Sequence, residues 1–86
     1  MLADVFLVQA SHVSLLFIEM NTQQIGEVIK SRREVLGIDQ RALSEISGVA
    51  VHTLSNIEAG NGNPTVGSLN KVLAALGMEL RVEVQQ

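Results

Sequence analysis

Eighty-six residues, 47 % of them hydrophobic, make one small domain, near the size at which a lone core is marginal and association with a second copy helps. Two Phe, no Trp and no Tyr exclude an aromatic platform for single-stranded nucleic acid and require an aliphatic core. The absence of Cys excludes disulfides and thiolate metal sites and points to a reducing cytoplasm, two His are too few for a metal cluster, and a net charge of -3 weighs against nucleic acid binding.

Residues 1–20 differ in character from the rest. Val5 to Ile18 carries no formal charge, yet it falls short of the ~20 apolar residues of a membrane span and is interrupted by Gln9, Ser11, His12 and Ser14. A secretory signal needs a basic start, whereas the charge preceding this apolar run is Asp4. Three readings stay open: an additional helix or strand covering an apolar surface, a partner-binding arm, or an artefact of translation starting upstream of a true start at Met20.

A first helix is expected after Asn21 or Thr22, with Gln24 placed to return the capping bond to Asn21. Ile25, Val28, Ile29, Arg32 and Leu36 then follow helical spacing until Gly37. Lys30, Arg32 and Arg33 form the main positive cluster. A solvated face with Glu27 and Glu34 as partners, or phosphate contact by Lys30 and Arg32, accounts for it equally well. Asp39 caps a second helix from Gln40 to about Ser47, and a third spans Val51 to Ala59 before Gly60. Gly60 to Pro64 is a turn-rich loop, and Thr65 caps a fourth helix, Val66 to Leu76, which ends at Gly77. Residues 21–77 are thus a helical domain.

Residues 78–86 change period. Met78, Leu80, Val82 and Val84 alternate with Glu79, Arg81 and Glu83, so this is a strand. A single strand leaves its backbone unpaired. The simplest partner is the same strand of a second copy, and the alternative is Val13 to Ile18.

The stretch Gln40 to Ala59 organises the rest. Ser44, Ser47 and Gly48 leave room for two helices to cross steeply. Leu43 faces inward, Val49 plugs the turn, and Leu54 and Ile57 give the later helix a buried stripe. Its other face, Val51, His52, Ser55 and Asn56, has nothing to pack on. This is the arrangement of a DNA-binding helix-turn-helix, whose second helix enters the major groove by its N-terminal half.

From Ile25 to Val84 the segments IGEVIKSRREVLGIDQRALSEISGV, HTLSNIEAGNGNPTVGSLNKVLAALG and MELRVEV resemble the Xre-type helix-turn-helix regulators related to lambdoid phage repressors. The strand after the fourth helix resembles their HipB-like antitoxin branch. The resemblance implies a mainly all-α, four- to five-helix lambda repressor-like domain with a C-terminal dimerisation strand carrying Met78, Leu80, Arg81, Val82 and Val84. It implies a homodimeric autorepressor on a palindromic operator, and a HipA-like kinase toxin as partner. It places Val51, His52, Ser55 and Asn56 at base edges, and Gln40, with Thr53, Asn61, Lys30 and Arg32, at phosphates. Arg33 and Glu58 become a structural pair bridging the first and third helices.

The chain departs from that pattern at several positions. Ala50 stands where a Ser or Thr often caps the third helix, and Val51 replaces a residue that is often polar. No Lys or Arg lies on the third helix or between Gly60 and Pro64. Ile46 occupies a usually polar, exposed position, which suggests that the apolar N-terminal arm packs there. These departures leave a second reading: a protein-interaction module that neutralises a partner without specific DNA binding. No nucleophile with a base at defined spacing, no paired carboxylates, no metal motif and no phosphate loop appears, so neither catalysis nor a cofactor is expected.

Overall fold

The computed structural model describes residues 2–9 and 21–85. The chain runs β1 (Leu2–Gln9), α1 (Thr22–Val35), α2 (Gln40–Ser47), α3 (Val51–Ala59), α4 (Val66–Ala75) and β2 (Met78–Gln85).

Three helices start on a side chain that folds back onto the first turn. The Gln24 N–H donates to Asn21 Oδ1 and the Asn21 N–H to Gln24 Oε1, both at 2.9 Å, a complete capping box. Asp39 accepts the Ala42 N–H at 2.8 Å, and Thr65 accepts the Ser68 N–H at 3.0 Å. Helix α3 begins on Ala50 with no side-chain cap. Its first turn is therefore held by packing and by the turn before it. In that turn Gly48 adopts φ 75°, where a side chain would be strained, and its N–H reaches the Ser44 carbonyl at 2.9 Å. The next N–H, that of Val49, donates to Ser47 Oγ at 3.1 Å.

The core is the aliphatic set expected from the spacing: Ile25, Ile29, Leu43, Val49, Leu54, Ile57, Leu69, Val72, Leu73 and Leu76 are all buried. Leu36 departs from the expected stripe. Helix α1 ends at Val35, so Leu36 is its cap and stays 44 % exposed.

Helices α1 and α3 approach so closely that a Cβ on Gly26 would collide with the Ile57 carbonyl oxygen. Gly60, at φ 73°, packs in the same way, within 3.0 Å of Gln23 Cα for any added Cβ. These two glycines set the α1–α3 distance and hence where α3 stands.

Strand β2 pairs antiparallel with β1 of its own chain, from Leu2 opposite Gln85 to Gln9 opposite Met78. On this edge β2 is thus paired within the chain rather than with a second copy. The register sets Val5 opposite Val82 and Leu7 opposite Leu80, so apolar positions of the two strands coincide. The other candidate, Val13 to Ile18, lies outside the described residues. Met78 and Leu80, expected in the dimer contact, pack half-buried against the helical core. Ile46 is 63 % exposed and β1 runs along β2, while the rest of the N-terminal arm expected to pack on Ile46 lies outside the described residues. Among the described residues the sheet has two strands only, so one edge of β2 remains open.

Four helices followed by a C-terminal strand make a mainly helical, lambda repressor-like domain.

Candidate nucleic-acid interface

The outward face of α3 carries the four residues expected to read bases. Val51, His52 and Ser55 are exposed and Asn56 is half-buried, while Leu54 and Ile57 on the other side are buried. This division follows from helical spacing: residues 51, 52, 55 and 56 share one side of the helix and 54 and 57 the other. His52 and Asn56, one turn apart, meet through His52 Nε2 and Asn56 Nδ2 at 3.4 Å. Val51 offers a 42 % exposed methyl surface, suited to a thymine methyl rather than to a polar base edge.

Beyond α3 the loop folds back beside it. The Gly60 N–H donates to the Ile57 carbonyl at 3.1 Å and the Asn61 N–H to the Asn56 carbonyl at 2.9 Å, which closes the helix end. A niche of about 120 Å³ then forms between helix and loop, lined by Thr53, Asn56, Asn61 and Asn63 among others. Thr53 and Asn61, both expected at phosphates, are thus brought next to Asn56.

The other expected phosphate residues are arranged differently. Gln40 opens α2, but its Nε2 donates to Glu58 Oε1 at 3.2 Å. Its side chain holds Glu58, and the α2 N-terminus keeps the Gln40 and Arg41 backbone N–H groups to offer an anion. Arg41, which the motif reasoning passed over, stands exposed there. Its signal in the sequence is position: a cation one residue after the helix start. Arg32 donates its Nε to the Leu76 carbonyl at 3.1 Å, closing the end of α4. Lys30 is exposed on α1.

Arg33 and Glu58 hold the interface from behind. Arg33 Nε and Nη2 donate to the two carboxylate oxygens of Glu58, each at 2.8 Å, and Arg33 Nη1 donates to the Ile38 carbonyl at 3.0 Å. The pair is sequestered, with side chains 12 % and 4 % exposed. Burial pushes the Glu58 carboxyl up, but the Arg33 and Gln40 hydrogen bonds and the Arg33 charge outweigh it and hold the group below the ordinary glutamate range. The same hydrogen bond raises Arg33 further above neutrality. One carboxylate thereby ties α1, α2 and α3 together.

Among the described residues no three potential ligands gather into a metal site, and no helix is long and apolar enough to cross a membrane.

Comparison with known proteins agrees with this geometry. A family model described as helix-turn-helix matches residues 29–82. An uncharacterized HTH-type transcriptional regulator of Haemophilus influenzae is 43 % identical over 58 residues, covering 67 % of this chain and 58 % of that protein. An HTH-type transcriptional regulator of Sinorhizobium fredii is 37 % identical over 59 residues, covering 69 % of this chain and 30 % of that one. The chain spans between about a third and three fifths of the length of these relatives.

Proposed function

Since the chain belongs to the helix-turn-helix family, we propose that it is a sequence-specific DNA-binding transcriptional regulator that works in the cytoplasm and represses its own operon. The observation that carries this reading is the outward face of α3, polar apart from Val51, held at fixed distance and angle by the buried Arg33–Glu58–Gln40 knot. Val51, His52, Ser55 and Asn56 read base edges in the major groove, Asn56 by bidentate pairing with adenine. Thr53, Asn61, Lys30, Arg41 and the backbone at the start of α2 contact phosphates. Gln40 serves that site through its backbone and by fixing Glu58, and Arg32 has a structural role at the end of α4.

A monomer with so few cations binds weakly. Two copies reading a palindrome, with half-sites about 34 Å apart, double the contacts. The edge of β2 that is open among the described residues, from Met78 to Val84, supports dimerisation by strand addition, with the exposed Arg81–Glu79 pair, 2.9 Å apart, beside it. The finer reading is the antitoxin of a HipBA-like pair that also holds a HipA-like kinase inactive. A groove of about 400 Å³ along α1, lined by Val28, Arg32, Val35 and Met78, supports it by offering a protein partner a surface away from α3.

The test is an anisotropy titration against the chain's own promoter fragment at two salt concentrations, beside Asn56→Ala. Saturable binding that weakens with salt and loses site preference in the variant is expected. Equal weak affinity for any duplex would replace this reading with the protein-interaction module, which the uncapped Ala50 and apolar Val51 would suit.

A further inference from the structure

We propose that His52 is a positioning residue for base readout: as a hydrogen-bond acceptor it fixes which way the Asn56 amide faces, and so sets the base preference of Asn56. The inference rests on the reading of α3 as the DNA-contacting helix and goes beyond it by assigning the two residues different tasks.

The geometry is specific to this pair. His52 and Asn56 lie one turn apart on the same face, and the contact runs from Asn56 Nδ2 to His52 Nε2 at 3.4 Å. Asn56 Nδ2 has two hydrogens and no acceptor lone pair, so the bond forms only when His52 Nε2 accepts, with the ring proton on Nδ1. The amide then gives one hydrogen to His52. Its Oδ1 and other N–H remain, and those are the two groups that pair with adenine N6 and N7. The opposite amide orientation, Oδ1 toward His52, would require His52 to donate and would interchange donor and acceptor along the edge shown to the base. A freely turning amide presents both orders and discriminates poorly. An amide anchored from one side presents one.

His52 is exposed and has no buried structural task on α3, so replacing it leaves the fold intact. Two substitutions separate positioning from mere affinity. His52→Glu keeps an acceptor for Asn56 Nδ2 but adds a negative charge near phosphates. His52→Lys supplies only donors and adds a positive charge. The wild-type chain, both variants and Asn56→Ala are each used to select from a pool of randomised duplexes, and affinities are measured on the selected sequences.

The base position read by Asn56 is the one whose preference disappears in Asn56→Ala. There, His52→Glu is expected to keep the wild-type preference with weaker overall binding. His52→Lys is expected to lose roughly ten-fold of discrimination at that position, read as the ratio of affinities for the preferred base and for the other three. Nitrogen chemical shifts of the His52 ring in the free wild-type protein should show the proton on Nδ1. A Lys variant that retains the preference, a Glu variant that loses it, or a ring proton on Nε2 overturns the assignment while leaving the DNA reading in place. A wild-type chain that selects no sequence overturns both.

Discussion

Glu58 is a buried acid made tolerable by three donors, two from Arg33 and one from Gln40. Breaking such a pair leaves its partner charged and desolvated, which costs far more than the pair contributes over an apolar replacement. Glu58→Ala and Arg33→Met should each lower unfolding free energy by about 3–5 kcal/mol, and the double variant by clearly less than their sum, measured by urea unfolding. Because the native carboxyl lies below its ordinary value, its stabilisation is complete above the unfolded pKa of about 4.3 and is lost as pH falls through the lower native value. Thermal melts from neutral to strongly acidic pH should show that decline, and Glu58→Gln should flatten it. At this scale the sequence was partly readable. The Arg33–Glu58 bridge followed from family likeness, whereas the turn of Gln40 toward Glu58 left no local mark, since a Gln opening a helix can face either solvent or the neighbouring helix.

At the scale of elements, the starts of α1, α2 and α4 were legible because caps act within three or four residues: Asn21 with Gln24, Asp39 with Ala42 and Thr65 with Ser68 are local in sequence and in space. The crossing of α1 over α3 was not legible. It depends on Gly26 meeting the Ile57 carbonyl, two residues far apart in the chain. Gly26→Ala should therefore destabilise by about 1–3 kcal/mol, against the usual gain of alanine in a helix, as a lower urea midpoint would record. Ala50 invites the reverse. Ala50→Ser supplies the missing cap and should stabilise by about 1 kcal/mol in the same assay. The period-two pattern identified β2 but not its partner, because alternation specifies a pleated strand and says nothing of which edge it meets.

For the molecule as a whole, a net charge of -3 is compatible with DNA binding when the free cations sit toward the DNA face. With Arg33 locked on Glu58 and Arg32 on Leu76, Lys30 and Arg41 remain as the side-chain cations assigned to phosphate. A dimer should thus show a shallow salt dependence, with a log–log slope of about -4, measured by anisotropy over a range of salt. Arg41→Ala should make it shallower by about 2 per dimer. The β1–β2 ladder has a different kind of consequence, one set by the order in which the chain is made. Its strands flank the whole helical domain, so β1 is synthesised before any helix and β2 after all of them. The helices, rich in near-neighbour contacts, can collapse early, whereas the ladder must await β2. Throughout that interval the apolar β1 has no strand to pair with. A nascent chain halted before Met78 would present this segment to chaperones and proteases, making completion of β2 the step that hides it.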